Sequence, residues 1–405
     1  MPPRRVATPA VTAALRLVAF AAVVALPAAI AAEPRPQRVA VEVAAPDGER
    51  TLEGRVVAKA ADGGMLLELD DQRLEVVKPG SVRSRRTLAE PNALADPKAL
   101  GRRIVRELPA GFTFLVTEHY VVCHDTPRPY AEWCAALFER LHAAFLAHWE
   151  KAGLEIRAPE EPLVVVIFAD RARYETFAAA DLGAAKGRVG GYYDTRSNRI
   201  TTFDLTRSES LARIPANSAA RAGLQILSRP EAAGLVSTLV HEATHQMAFN
   251  SGLHRRMAPV PVWVAEGMAT YCERGWKEIG EINKPLLDRF LSGQGEGDFD
   301  TIVVDDSPFR DVEKMPMAYA RAWALTAFLA RSRPEQYARY MAGIAAKPPL
   351  SPDGPQHRRR AFVEAFGAEP REFEEEAAEF LARWATRRDE PAGPWRRRGA
   401  KRAAP

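Results

Sequence analysis

The chain has 405 residues, and its 56 Lys and Arg against 52 Asp and Glu leave a net charge of only +4. Much of that excess lies at the ends (Arg4, Arg5 and Arg16; Arg396, Arg397, Arg398, Lys401 and Arg402), and there is no nucleic-acid motif, Gly-rich phosphate loop or internal repeat. Nucleic-acid partners are therefore not expected, and three cysteines exclude a disulfide scaffold.

Arg4 and Arg5 precede an apolar run from Leu17 to Ala32, and Ala29-Ile30-Ala31 supplies small residues for cleavage. This predicts a signal peptide over residues 1–32 and an exported chain, periplasmic or extracellular. The run is too short and Ala-rich for a comfortable membrane span, so no stable span is expected after cleavage. Residues 36–85 alternate apolar and polar positions (Val39, Val41, Val43; Leu67, Leu69; Leu74, Val76) between the turns Asp47-Gly48 and Asp62-Gly63-Gly64. They predict a small antiparallel β module of about four or five strands. A polar linker rich in Arg, Pro and Ala follows.

The second unit, residues 100–387, begins with a strand-like run from Phe114 to Val122 and a long amphipathic helix from Tyr130 to Glu150. Cys123 and Cys134 stand at the end of that strand and on that helix, where a bridge is open to them. Leu163-Val164-Val165-Val166-Ile167-Phe168 predicts a buried strand, and Ala172–Ala180 a helix. Gly190-Gly191-Tyr192-Tyr193-Asp194 and Arg199-Ile200-Thr201-Thr202-Phe203 flank a turn-rich tip and predict a β-hairpin. Beyond it the pattern is almost wholly helical. Strands first and helices after predict an α+β fold. The acidic stretch Gly293–Pro308 reads as a loop, Cys272 as a buried thiol, and the basic residues 388–405 as a disordered tail.

The chemistry concentrates in His241-Glu242-Ala243-Thr244-His245. Such a string arises by chance in about one chain in a hundred of this composition, but here it lies inside a helix. Leu235, Leu239, Ala243 and Met247 form an apolar stripe, and Gly252 ends it. Two imidazoles four residues apart on a helix share a face and can grip one metal ion. The intervening glutamate is placed to take a proton from a water that the metal activates. A third ligand some twenty residues on would leave one corner open. Pro261, Trp263, Val264, Met268 and Tyr271 predict a second short helix, and it carries Glu266.

HEATH, twenty intervening residues and the Glu of WVAEGMATY resemble the gluzincin zinc metallopeptidases, of which thermolysin is the best-known member. The pattern is most similar to their exported bacterial "peptidase MA-like" branch. The resemblance implies a thermolysin-like domain with a mixed sheet and a helical half. It further implies Zn²⁺ held by His241, His245 and Glu266, with Glu242 as general base. A metzincin would need Gly and His where this chain has Ala248 and Ser251. His254, just past Gly252, remains a rival third ligand. Related enzymes place a catalytic Tyr at the start of a downstream helix, which points to Tyr319, with Arg321 as another anion contact or a residue of a solvated helix face. They also bind extended substrate along an edge strand, which points to Gly191, Tyr192 and Tyr193. The expected function is peptide-bond hydrolysis of a peptide or protein substrate. The alternatives are a catalytically inactive zinc-fold binding protein of the cell envelope and a zinc amidase acting on a cell-wall amide.

Overall fold

The computed structural model describes residues 38–45, 48–88, 96–183, 189–205, 232–274, 279–295 and 297–386. The expected signal peptide and basic tail lie outside them. The N-terminal module is a five-stranded antiparallel sheet of β1 (Arg38–Ala45), β2 (Gly48–Lys59), β3 (Met65–Leu69), β4 (Leu74–Val77) and β5 (Val82–Thr87), in the order β4-β3-β2-β1-β5. Val39, Val41, Val43, Val56 and Leu67 fill its inner face, as period-two alternation requires.

Part of the expected linker is helical. Asp96 accepts from the N–H groups of Lys98 and Ala99 and caps α1 (Pro97–Glu107), with Pro97 opening the first turn. Leu100 and Ile104 are buried on the next sheet, and Gly101 lies under the Phe114 ring, where a Cβ would be 2.5 Å from a ring carbon. The single run expected from Phe114 to Val122 is instead a hairpin, β6 (Thr113–Val116) and β7 (Tyr120–His124). The Glu139 carboxylate makes the break by accepting from the Thr117 hydroxyl and the His119 N–H. It sits on α2 (Arg128–Lys151), followed by β8 (Leu163–Phe168), α3 (Arg171–Leu182), β9 (Gly191–Asp194) and β10 (Arg199–Phe203).

The second sheet runs β6-β7-β8-β10-β9, with β7, β8 and β10 parallel and both outer pairs antiparallel, so β9 is an edge strand. Every residue of β8 is buried, which explains its unbroken apolar sequence. The C-terminal half is helical: α4 (Ala232–Asn250), α5 (Val262–Cys272), α6 (Lys284–Ser292), α7 (Asp300–Val303), α8 (Met315–Ser332), α9 (Pro334–Ala345), α10 (Pro355–Phe366) and α11 (Glu374–Thr386). The stretch expected as an acidic loop holds α7 and a 3₁₀ turn at Ser307–Phe309. The architecture is α+β, with one antiparallel and one mixed sheet ahead of a helical half. Among the described residues, no helix is long and apolar enough to cross a membrane.

Apolar and polar contacts seat the N-terminal module on the rest. Ala58, Leu66 and Leu74 pack with Met257 and Leu350. The turn between β3 and β4 meets polar partners at the β9–β10 tip, where Leu74 N–H donates to Arg196 O at 2.8 Å, and in the loop after α4, where Arg256 donates to Gln72 O at 2.7 Å.

Candidate metal centre

α4 carries His241, Glu242 and His245, and the sheet fixes it. The Gln246 amide donates to Val164 O on β8 and to Asn198 O at the hairpin tip, both at 3.0 Å. α5 carries Glu266 and is fixed by the helical half. Gly267 lets α5 press on α8 so closely that a Cβ would stand 2.5 Å from Ala322 O. At the start of α5, Asp306 accepts the Val262 N–H at 3.1 Å and is itself held by both Arg358 Nη atoms, at 2.7 and 2.9 Å.

The two helices bring His241, His245 and Glu266 together, with one ligand atom from each within 4.8 Å of the others. His241 Nε2 is 3.1 Å from His245 Nε2 and 3.2 Å from Glu266 Oε2, and His245 Nε2 is 3.8 Å from Glu266 Oε1. A tetrahedral ion with bonds of about 2.0–2.1 Å has donor–donor edges of roughly 3.3 Å; the 3.1 and 3.2 Å separations match it, and the 3.8 Å one, to the other carboxylate oxygen, is longer. The three residues and Glu242 are each at most 1 % exposed. The Glu266 oxygens face the two imidazoles at 3.2 and 3.8 Å without a hydrogen bond, and a buried carboxylate is costly unless positive charge stands beside it. A cation at the centre of the triangle answers that cost.

The electrostatics separate the four groups. Burial holds His245 well below the usual imidazole range, with His241 and His254 adding to it, so its ring is neutral and free to ligate. Burial also opposes charge on His241, but the Glu266 and Glu273 carboxylates outweigh it and raise that ring well above its ordinary value. Burial, with the Glu266 carboxylate adding to it against the pull of His241, pushes Glu242 up to about 8. The Tyr193 N–H donates to Glu242 Oε2 at 2.8 Å, while Oε1 has no partner.

Glu273 escaped the sequence reasoning. Its Oε1 is 2.7 Å from His241 Nδ1, and its Oε2 accepts from the Asn283 amide at 3.2 Å. It orients the ring and fixes which nitrogen faces the triangle. The signal was present: Glu273 follows Glu266 by two helical turns and so shares its face.

The other expected residues fall as follows. Tyr192 and Tyr193 bury their side chains, with hydroxyls donating to Asp181 (2.6 Å) and Asn198 (2.7 Å), so with Gly191 the strand offers its backbone to the site. Tyr319 is the fifth residue of α8, the helix packed on α5, with its ring edge-on to Phe309. Arg321 is not on a solvated face. It is buried, donates to Gly297 O at 2.9 Å and pairs with Glu374, tying α8 to α11 and the loop after α6. His254 is buried outside the ligand group, edge-on to Phe249, with neither nitrogen partnered. The bridge left open between Cys123 and Cys134 is not made. Both are free, as is Cys272, and burial pushes the Cys123 and Cys272 thiols up to about 12.

Residues 235–351, from the metal-centre helix through α9, match the model of a protein family of unknown function (DUF1570). No curated protein matches the chain.

Proposed function

We propose that this chain is an exported zinc hydrolase of the gluzincin type that cleaves peptide bonds, with His241, His245 and Glu266 as metal ligands and Glu242 as general base. One observation carries the reading: a buried His-His-Glu triangle with two zinc-sized edges lies beside a glutamate that has one oxygen anchored and one free. Zinc, when bound, supplies Lewis acidity that acidifies water and polarises a carbonyl. Glu242 does the proton work. With Oε2 held by the Tyr193 N–H, Oε1 is the oxygen left to accept a proton from the attacking water and return it to the leaving amine. Glu273 keeps Nε2 of His241 turned to the triangle. Tyr319 supports the oxyanion from the start of α8, and the outer edge of β9 receives extended substrate.

Complete burial of all four central residues favours a second reading, a metal-binding fold without turnover. Metal content of the purified protein and its His245→Ala, Glu266→Ala and Glu242→Gln variants, with casein and peptidoglycan digestion side by side, separates the two. Wild type and Glu242→Gln should each hold about one zinc per chain, and the two ligand variants should lose it. Turnover by wild type alone supports the hydrolase, and the polymer digested separates a peptidase from a cell-wall amidase. A Glu242→Gln variant as active as wild type would end the general-base assignment. Zinc retained with neither polymer digested would favour the binding fold.

A further inference from the structure

The N-terminal module reaches the candidate base through a chain of buried polar groups. Gln72 lies in the β3–β4 turn at φ 68°, a left-handed conformation that Gln adopts at a cost. All its polar atoms are engaged. Its N–H donates to Leu69 O, its carbonyl accepts from Arg256, its Nε2 donates to Pro162 O at 2.8 Å, and its Oε1 accepts from Asn198 Nδ2 at 2.7 Å. Asn198, itself at φ 61°, accepts the Tyr193 hydroxyl at 2.7 Å and exchanges amide bonds with Asn250 on α4. The Tyr193 N–H then holds Glu242 Oε2. Gln72, Asn198 and Tyr193 are each buried, so water does not compete for these bonds.

All four left-handed non-glycine residues among the described residues lie at this module boundary, Met257 and Leu350 in the apolar contact and Gln72 and Asn198 in the polar one. Ala58, Leu66 and Leu74 already bury the module against Met257 and Leu350. The polar lock instead determines where β9 lies relative to α4. In an antiparallel ladder the N–H and C=O of one residue point to the same side, so Tyr193, bonded to Glu242, turns both away from β10. A shift of the hairpin tip moves that N–H.

We infer that the N-terminal β module is a positioning element for the metal centre, and that Gln72, acting through Asn198 and Tyr193, sets the main-chain donor that orients Glu242. Its catalytic meaning rests on Glu242 being the base proposed above, while its structural content does not.

The test is amide hydrogen exchange at Tyr193, resolved by fragmentation mass spectrometry in the full chain, for wild type, Gln72→Gly and Tyr193→Phe. Glycine keeps the left-handed turn and deletes only the side chain. Phenylalanine cuts the chain of bonds within the second domain, should the first variant fail to fold. Both should speed exchange at Tyr193 by about fivefold, the factor one net hydrogen bond is worth, at unchanged metal content. With a peptide substrate, kcat should fall by a similar factor at steady KM. Unchanged exchange in the folded variants overturns the inference, and so does faster exchange with kcat unmoved. A wild type without turnover removes the hydrolase proposal alone, since the exchange result still decides whether Gln72 sets the strand.

Discussion

Gly267→Ala tests whether the close contact of α5 and α8 is what places Glu266. The added Cβ would meet Thr326 Oγ1 at 2.2 Å and Ala322 O at 2.5 Å. The threonine hydroxyl can rotate away, but the carbonyl is helix backbone and cannot. Restoring van der Waals contact at Ala322 O needs roughly 0.8 Å of separation between the helices. Overpacking of this kind costs about 1–3 kcal/mol, which for a domain of this size lowers Tm by about 2–5 °C. Glu266 is the adjacent residue and moves with α5. A displacement several times the tolerance of about 0.2 Å on a ligand bond should weaken metal binding by at least about tenfold. Thermal melts in excess chelator isolate the packing cost, and competition against a chromophoric chelator reads the affinity. Gly343→Ala is the control, because a Cβ there meets nothing within 4 Å on an exposed turn of α9, and it should gain about 0.5–1 kcal/mol. A Gly267→Ala protein that melts within about 1 °C of wild type in chelator and binds metal equally well would refute the close-contact reasoning.

Glu273→Ala should lower metal affinity by about 10–100-fold while leaving the ligand set intact, measured by the same chelator competition; Glu273→Gln, which can still accept from His241 Nδ1, should lose less. His254 should weaken the fold in acid. Burial lowers it to about 3, so between pH 6.5 and 3 the unfolded chain binds a proton that the folded chain does not. Stability is then lost on acidification at up to about 1.4 kcal/mol per pH unit, and His254→Leu should flatten that limb in urea melts from pH 7 to 4. Cys123, Cys134 and Cys272 should stay silent to a thiol reagent in the native protein and react only on unfolding, because burial raises all three thiols above the neutral range.

Periodicity and spacing made the two site helices legible. His241 and His245 fall within one heptad of α4, where local geometry alone puts them on a common face, whereas Glu266 on the next helix was legible from its spacing and the resemblance. The hairpin tip was legible from its turn residues. What escaped depended on long-range partners. The break at Thr117–His119 is made by Glu139, a full helix away, and α1 takes its place because Leu100 and Ile104 find a sheet that had yet to be assembled. Arg321 reads as a solvated cation until Glu374 and the Gly297 carbonyl are brought to it. Gln72 looks like any polar turn residue, since nothing near it in sequence reveals Asn198, 126 positions away.

The candidate metal centre lies where α4 and α5 meet. α4 answers to the sheet through Gln246, whereas α5 answers to the helical half through Gly267 and through Asp306, which Arg358 clamps. Glu273 joins the two, through His241 Nδ1 at 2.7 Å and the Ser237 hydroxyl at 3.5 Å, and one hydrophobic core runs beneath both. The Glu266 oxygens sit at this junction, and an ion shared by His241, His245 and Glu266 would join both sides. Binding energy at such a junction is stabilisation of the docked state, by mass action, because neither helix alone presents the full ligand set. Burial has the same origin. A junction closed from both sides leaves its polar atoms dry, which strengthens every charge interaction among Glu242, Glu266 and the two imidazoles. The same burial that would strengthen the hold of this group on a cation thus also limits what can reach it.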